Sequence, residues 1–299
     1  MDKIYAKDIG ELLKPITWFP PMWAFSCGVV ASGSNFIEQG LLIFIGLLLT
    51  GPLVCAASQA VNDWYDRHVD AVNEPNRPIP SGRIPGTWGL KIAIFWSLLS
   101  IVVSFALGYW AIVATLLAVL LAWAYSMPPI RLKNNGWLGN AACGFSYEGL
   151  AWITGAIVVA NGKLPSDETI YLAILYSLSA HGIMTLNDFK SIDGDKQFGI
   201  NSLPVKLGEH FAAKVACFTM LAPQLIVTLL LFSWETNLLA LSLVVLIALQ
   251  IILMRYFLKK PRERALAYSA FGVPLLVAGM MIAASALRFL SFSKGTSAI

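Results

Sequence analysis

The segment from residue 40 to residue 70 reads GLLIFIGLLLTGPLVCAASQAVNDWYDRHVD, and it carries the two features that decide the fold. Residues 40–61 are predominantly apolar, and the run is long enough to meet the ~20 residues that a helix needs to cross a bilayer. Asn62, Asp66 and Asp70 then recur every four residues, so they share one face of a helix. The segment predicts a membrane helix that ends in an oxygen-rich stripe.

The composition of the 299-residue chain is typical of a polytopic membrane protein. Hydrophobic residues make up 57% of it and charged residues only 13%, whereas soluble proteins carry about 25% charged residues. The four cysteines lie in apolar runs without the spacing of a metal site or a disulfide framework. We therefore interpret them as small core residues.

Nine apolar segments are long enough to be membrane helices. They are residues 16–34, 40–61, 89–108, 110–127, 137–160, 168–187, 211–233, 236–257 and 266–289. The sequence thus predicts an all-α, polytopic bundle of nine transmembrane helices around a central cavity. Pro20-Pro21 is expected to kink or break the first helix.

A second acidic cluster, residues 187–195, reads NDFKSIDGD and follows another apolar span. Residues seven or eight apart lie close together on a helix, and Gly194 ending that helix would leave the direction of Asp193 open. Mg²⁺ prefers carboxylate and amide oxygens together with substrate phosphates. We predict that two Mg²⁺ ions are held by the oxygen-bearing side chains of both clusters: Asn62, Asp66, Asp70, Asn187, Asp188, Asp193 and Asp195. The alternatives are a solvated helix end and a loop rich in turn formers.

The positions of the 21 lysine and arginine residues predict the orientation of the chain. All but Lys163, Arg288 and Lys294 fall in the N-terminal tail, which includes Lys3, or in even-numbered connections between spans and the span ends that adjoin them. Cytoplasmic loops carry an excess of basic residues, so we predict a cytoplasmic N-terminus with both acidic clusters on the cytoplasmic face. The net charge of +4 then reflects this bias and not a nucleic-acid-binding surface.

The chain also contains a weak internal repeat. In each copy an apolar span ends in Asn-Asp and a proline-containing loop follows fifteen residues later, at Arg77-Pro78 and at Ser202-Leu203-Pro204. The two spans are four apart, which gives both copies the same orientation. We predict a single membrane domain over residues 1–299, built from a pseudo-repeat of 16–127 and 137–257 plus a ninth helix at 266–289.

Five basic residues accompany the acidic clusters: Arg77, Arg83, Arg131, Lys133 and Lys190. Arginine forks match phosphate oxygens, and carboxylates bridged by Mg²⁺ with bases at the rim would hold a pyrophosphate. This set predicts ionisation of a carbon–oxygen bond, with metal ions and cations stabilising the leaving pyrophosphate. Arg131 and Lys133 are explained equally well as part of the excess of basic residues in cytoplasmic loops.

Aromatic and polar side chains within the spans are candidates for a substrate pocket. Trp123 and Tyr125 lie near the basic segment, Tyr147 and Glu148 in the fifth span and His181 in the sixth. An allylic carbocation needs dry, π-rich surroundings, and an intramembrane glutamate is a functional candidate by default. The two aromatic residues before the basic segment are explained equally well as part of an aromatic belt at the membrane interface. The glutamate and the histidine could instead have buried structural roles.

Together these motifs resemble the UbiA-type intramembrane prenyltransferase superfamily. The resemblance covers nearly the whole chain and rests on Asn62-x-x-x-Asp66-x-x-x-Asp70, residues 77–82, the Tyr125-Ser126 segment and the second Asp cluster. Residues 59–75 and 182–190 are similar to the chlorophyll synthase branch, and residues 68–70 and 81–86 to its bacteriochlorophyll synthases. One departure is Ser191, where much of the superfamily has an Asp.

The resemblance implies transfer of a geranylgeranyl or phytyl group from its pyrophosphate to the propionate carboxylate of a (bacterio)chlorophyllide. It implies catalytic roles for Asp66, Asp70, Asp195, Arg77 and Tyr125. The nucleophile is already ionised at neutral pH, so no strong protein base is needed. The implied location is a cytoplasmic or photosynthetic membrane, with the bilayer and other pigment-biosynthesis or photosystem-assembly proteins as partners.

Other functions remain open at this point. Another member of the superfamily would prenylate a quinone precursor or haem. A carrier for divalent cations or prenyl phosphates would also use acidic residues and an internal repeat, but it needs access from both faces, and the charges crowd one face. A pigment-binding protein without turnover would not need two acidic clusters.

Overall fold

The computed structural model describes residues 4–296, and side chains are described for residues 4–291. Two π-helical segments, Leu49–Cys55 and Phe145–Leu150, interrupt longer helices. No β-strand occurs among the described residues, which confirms the predicted all-α class. The α-helices are α1 (Ala6–Leu12), α2 (Phe19–Ala31), α3 (Gly40–Leu48), α4 (Ala56–Asn73), α5 (Trp88–Ser104), α6 (Tyr109–Ser126), α7 (Gly136–Gly144), α8 (Ala151–Val159), α9 (Asp167–Asp188), α10 (Ile192–Gln197), α11 (Leu203–Leu207), α12 (Glu209–Ser233), α13 (Asn237–Lys259), α14 (Pro261–Phe271) and α15 (Val273–Thr296).

Eight helices of the described chain are long and apolar enough to cross a membrane. They are Gly40–Asn73, Trp88–Leu107, Tyr109–Ser126, Gly136–Val159, Asp167–Asp188, Glu209–Ser233, Asn237–Lys259 and Pro261–Ser291, and they match the second to ninth predicted spans. The first predicted span contains only the 13-residue apolar helix α2, so the count of nine stays a prediction. The side chains of Lys3 and Lys294, used above to predict orientation, lie outside the described part.

Pro20 and Pro21 mark the start of α2 and do not kink a longer helix. A turn of 3₁₀ helix at Pro15–Thr17 precedes α2, and Pro20 and Pro21 occupy the first turn of α2. Proline is compatible with that position because its missing N–H has no intrahelical partner there. The expected interruption is therefore the N-terminal boundary of the first apolar helix.

Two glycines let α2 and α8 pack with their backbones in contact. A Cβ added to Gly28 would lie 1.9 Å from the carbonyl oxygen of Trp152, and one added to Gly155 would lie 2.1 Å from that of Phe25. Small residues permit such close approach between membrane helices, where packing drives association. This contact fixes one wall of the bundle.

The two π-helical segments lie in the wall of a central cavity. The segment Leu49–Cys55 contains Pro52, which cannot donate a helical hydrogen bond. The segment Phe145–Leu150 places Tyr147 and Glu148 against the cavity. π-Bulges are frequent at functional sites, because the extra residue redirects nearby side chains. Both segments therefore shape the site described below.

Candidate active site at the mouth of the helix bundle

The central cavity has a volume of about 930 Å³ and a mainly apolar wall. Helices α2, α4, α6, α9 and α15 and both π segments contribute to it. Its polar lining includes Asn62, Tyr125 and Asn187, which belong to the predicted site. A pocket of this size lies at the upper end of the range usual for small-molecule sites.

The first acidic cluster forms the predicted stripe on α4. Asn62 Nδ2 donates to Asp66 Oδ2 at 3.0 Å, as expected for residues one helical turn apart. One turn further on, Asp70 Oδ2 accepts a hydrogen bond from Arg77 Nη1 at 2.8 Å. Asp63 and Asp70 raise the pKa of Arg77, although its burial acts in the opposite direction. The stripe therefore already has a firmly charged basic partner.

Two further bases reach the stripe from the segment after α6. Arg131 Nη2 lies 3.1 Å from Asp66 Oδ1, and Lys133 Nζ pairs with the same oxygen. The Lys133 side chain is only 8% exposed, and this burial lowers its pKa against the opposing influence of Asp66. A partly desolvated lysine and an arginine thus share one carboxylate oxygen of the stripe, which brings both predicted bases to the candidate site.

The second acidic cluster spans the end of α9 and the short helix α10. Asp188 Oδ2 accepts a hydrogen bond from Asn140 Nδ2 at 3.1 Å. Ser191 Oγ donates to Asp195 Oδ2 at 2.8 Å. Burial raises the pKa of Asp195, while Ser191 and Lys133 act to lower it. Ser191, where much of the superfamily has an Asp, therefore orients Asp195 in this chain.

The two clusters converge in space. Asp195 lies within electrostatic range of both Asp66 and Lys133. A Cβ added to Gly194 would lie 2.8 Å from Asn73 Nδ2, so the end of α4 contacts the second cluster directly. The segments after α6 and α10 are also joined, because Asn201 N donates to Asn134 O at 3.2 Å and Gly136 N donates to Asn201 O at 2.9 Å.

Three of the predicted site residues do not lie where the two acidic clusters converge. Asp193 has a 77% exposed side chain and pairs with Arg262 on α14. Arg83 pairs with Asp8 and Glu11 of the N-terminal segment, at 2.7 and 2.6 Å. Lys190 is exposed. Helix α9 ends at Asp188 and Gly194 lies within α10, so Gly194 does not end a helix, and the Asp193 side chain on α10 faces outward.

The predicted substrate-pocket residues divide into two groups. Tyr125, Tyr147 and Glu148 line the cavity. Trp123 instead packs against α5, where its Nε1 donates to Ser97 Oγ at 3.1 Å. His181 is buried beside Trp137, with ring centroids 5.5 Å apart, and is not among the residues that line the cavity.

The hydroxyl of Tyr147 and the carboxyl of Glu148 have different surroundings. Tyr147 Oη lies 2.9 Å from Ser58 Oγ and accepts a hydrogen bond from Gln59 Nε2 at 3.0 Å. Glu148 is 6% exposed, and its Oε2 has no hydrogen-bond partner among the described residues. A buried carboxyl oxygen of this kind needs a partner, so Glu148 is available to a polar atom of a ligand.

Sequence reasoning missed three residues that hold the site together. They are Asn140, which donates to Asp188, and the pair Lys14 and Asp63, in which Lys14 donates to Asp63. Asp63 also accepts a hydrogen bond from Arg77. Asn140 was detectable as an amide in an apolar span. Asp63 lies one position off the acidic stripe, and Lys14 was counted only as a topology marker, so neither carried a signal of its own.

The oxygen donors fit a hard divalent cation, as their chemistry requires. In the part of the chain with described side chains, no three acidic, histidine or cysteine groups converge closely enough to bind one. The carboxylates of Asp66 and Asp70 face basic partners instead. If those bases turned to phosphate oxygens, the same carboxylates would be free to bind Mg²⁺. The donor set is therefore compatible with binding metal and pyrophosphate together.

Both the sequence and the fold have matches among known proteins. The sequence model of the UbiA prenyltransferase family matches residues 18–280. The bacteriochlorophyll synthase 33 kDa chain of Rhodobacter capsulatus is 53% identical over 282 residues, which cover 93% of this chain and 92% of the relative. The chloroplastic chlorophyll synthase of Avena sativa is 39% identical over 289 residues, covering 92% and 75%. The solved structure of a UbiA homolog from Archaeoglobus fulgidus bound to GPP and Mg²⁺ superposes with a TM-score of 0.66 at 16% identity, covering 96% of this chain and 98% of that one.

Proposed function

Because the chain belongs to the UbiA prenyltransferase family, we propose that it esterifies the propionate side chain of a bacteriochlorophyllide or chlorophyllide with a geranylgeranyl or phytyl group. The chain is a multi-pass membrane prenyltransferase with bacteriochlorophyll synthase and chlorophyll synthase relatives. In the reaction, the bond between C1 of the prenyl group and the pyrophosphate oxygen breaks, and its electron pair leaves with pyrophosphate. The substrate carboxylate then forms the new carbon–oxygen bond.

One observation carries this proposal. Two oxygen-rich clusters meet around Lys133 at the end of an apolar cavity of about 930 Å³. A charged leaving group and a lipophilic chain need these two environments side by side. A cation carrier would require acidic groups accessible from both faces, whereas the two acidic clusters lie together at one end of the described cavity.

Within this proposal, Asn62, Asp66 and Asp70 would hold one Mg²⁺ ion. Asp188 and Asp195, with Asn187 at the cavity wall, would hold a second, and Asp193 is left out because it pairs with Arg262. Bound Mg²⁺ would neutralise negative charge on the leaving pyrophosphate. A protein of the same fold, the UbiA homolog from A. fulgidus, was solved bound to GPP and Mg²⁺, which supports a role for this metal.

The protein's own cations would hold the pyrophosphate. Arg77, Arg131 and Lys133 contact the stripe that would take up the metal. Their donors can turn from Asp66 and Asp70 to phosphate oxygens, since guanidinium and ammonium groups bind both. Arg83 and Lys190, which the sequence also suggested, would have no direct part in binding.

The cavity wall would shape and protect the reaction. Its apolar side chains exclude water from the prenyl cation, and the Tyr125 ring at the polar end offers a π-face to it. The acceptor carboxylate is ionised before it binds, so no protein group has to remove a proton. Glu148 would hydrogen-bond a polar atom of the macrocycle, because its own oxygen has no partner in the described chain.

Both substrates are lipophilic, and we propose that they enter sideways from the bilayer. Ile16 and Phe19 on one side and Val273 and Pro274 on the other line the cavity between α2 and α15. Ile16 is 89% and Phe19 54% exposed, so the cavity reaches the outer surface there. Bulky substitutions at this gap, such as Val273→Trp, should slow turnover; unchanged turnover would count against lateral entry.

An esterification assay on membranes that contain this chain tests the function. Each chlorophyllide is paired with each prenyl pyrophosphate, with and without EDTA, for the wild type and for Asp66→Asn. We expect Mg²⁺-dependent ester from at least one pair and none from the variant. No ester from any pair, with protein shown to be folded by thermal unfolding in detergent, would contradict the proposal and favour a quinone or haem acceptor.

A further inference from the structure

The N-terminal strap, which we define as residues 5–17, ends beside the acidic stripe of α4. Lys14 lies near its end, and its Nζ is 2.6 Å from Asp63 Oδ1. The following residues Ile16 and Thr17 line the cavity. The strap therefore delivers one cation to a carboxylate next to the predicted metal site.

Asp63 is a buried carboxylate shared by two cations. Its side chain is 1% exposed, and its Oδ1 accepts from Lys14 and, at 3.5 Å, from Arg77 Nη1. Its Oδ2 has no partner among the described residues. Asp63 follows Asn62 by one position, so it lies about 100° around the helix from the metal-facing stripe. Its position thus suits a supporting role and not metal binding.

Arg77 links this carboxylate to the predicted metal site. Its Nη1 also donates to Asp70 Oδ2 at 2.8 Å, and its Nε and Nη2 donate to the two Glu74 oxygens at 2.9 and 2.7 Å. Its described contacts are thus all to carboxylates. For Asp70 to bind a metal ion and for Arg77 to bind pyrophosphate, the contact between them has to open.

We propose that Lys14 and Asp63 are positioning residues that hold Arg77 ready to leave Asp70 and bind the pyrophosphate. The roles of Asp70 and Arg77 rest on the proposed function. Lys14 compensates the negative charge of Asp63. Asp63 therefore orients the Arg77 guanidinium through a long hydrogen bond but does not hold it in a tight ion pair. Without the ammonium group, the buried carboxylate would draw Arg77 into a tight pair, because an uncompensated buried charge is strongly unfavourable.

Steady-state kinetics of Lys14→Met, with the full chain in membranes, test the proposal. The KM for the prenyl pyrophosphate should rise about tenfold, since a charge-assisted contact to that substrate is weakened. The KM for the acceptor should stay near the wild-type value, because Arg77 is assigned to the pyrophosphate and not to the acceptor. Lys14→Arg, which keeps the charge, should restore the wild-type KM.

The background Asp63→Asn separates charge compensation from packing. In that background no buried carboxylate competes for Arg77, so adding Lys14→Met should not change the pyrophosphate KM further. This comparison also carries the test should the single Lys14→Met variant fail to accumulate. Glu11→Gln is the matched control, because it breaks an ion pair of the same strap that leads to Arg83 and not to Arg77.

Three results would overturn the proposal. They are a wild-type pyrophosphate KM in Lys14→Met, an equal rise in Glu11→Gln, and a further rise on adding Lys14→Met to Asp63→Asn. The second would mean that the strap acts only as a cover. Failure of the proposed function would be recognised separately, because the wild type would then form no ester with any substrate pair.

Discussion

At the scale of single residues, Asp66 illustrates how an acidic stripe can serve an anionic substrate. Its Oδ1 contacts both Arg131 and Lys133. The carboxylate is therefore compensated without a metal, and the two bases are held where phosphate oxygens would arrive. In the proposed reaction, metal and pyrophosphate would enter together, which would leave no uncompensated charge in a partly buried site.

Asp195 and Asp193 are expected to behave differently when each is replaced by asparagine. Asp195→Asn should lower turnover about 100-fold and raise the Mg²⁺ concentration needed for half-maximal activity, since removal of one electrostatic stabiliser typically costs 10²–10³. Asp193→Asn should retain activity, because that side chain is exposed and pairs with Arg262. Magnesium titrations of both variants are the measurement, and equal losses would contradict the assignment of the second site.

Glu148 is expected to act on the acceptor and not on the prenyl pyrophosphate. Glu148→Leu should raise the acceptor KM by about tenfold, the size expected for loss of one buried hydrogen bond. Glu148→Gln keeps a hydrogen-bonding group and should have a smaller effect. Initial rates at varied chlorophyllide concentration measure both. A rise confined to the pyrophosphate KM would place Glu148 on the other substrate.

At the scale of helices, the site depends on how segments meet and not on any one of them. The stripe belongs to α4, the two bases to the segment after α6, and the second cluster to α9 and α10. Asn135 caps α7 by accepting from Trp137 N at 3.0 Å, and Gly136 N donates to Asn201 O. These contacts hold the basic segment between the two acidic clusters. The pseudo-repeat of residues 16–127 and 137–257 stays a prediction.

Gly155→Ala should destabilise the protein, because the added Cβ would lie 2.1 Å from the Phe25 carbonyl oxygen and force α2 and α8 apart. Overpacking of this kind typically costs about 1–3 kcal/mol. Thermal unfolding in detergent should show a Tm lower by several degrees. Gly40→Ala is the control, since nothing lies within 4 Å of its added Cβ. A shared drop in Tm would argue against the close contact as the cause.

At the level of the whole molecule, charged groups of the described residues are distributed unevenly between the two ends of the helix bundle. The acidic clusters, the basic segment and the N-terminal strap gather at one end of the cavity, while Lys163 lies in the connection between α8 and α9. The basic bias favours the cytoplasm for the charged end. We propose that the active-site mouth opens there, where soluble pyrophosphate and Mg²⁺ are exchanged.

Labelling of introduced cysteines tests this orientation. A membrane-impermeant maleimide should label Asp193→Cys only in inside-out vesicles and Lys163→Cys only in right-side-out vesicles, since both positions are exposed. Background should be low, because Cys27, Cys55 and Cys217 are buried and Cys143 is partly covered. The opposite labelling pattern would reverse the proposed topology.

Local sequence patterns predicted the helical class, the eight long apolar helices from residue 40 onward and the acidic stripe. Each depends on local features: apolar runs of sufficient length predict spans, and a spacing of four places side chains on one helix face. The same local reasoning could not locate the start of α2, because prolines are compatible both with a kink and with a first helical turn.

Contacts between distant segments show which of the predicted charged residues converge at the candidate site and which pair elsewhere. Arg83 and Asp193 are residue types that the predicted site needs, yet each forms an ion pair with a residue of another segment. Arg83 pairs with Asp8, and Asp193 pairs with Arg262. Asp63 and Lys14 lie 49 positions apart and come together only when the strap folds across α4. Ion pairs between distant segments depend on distances that the chain sets by packing its helices, and no pattern within one segment contains those distances.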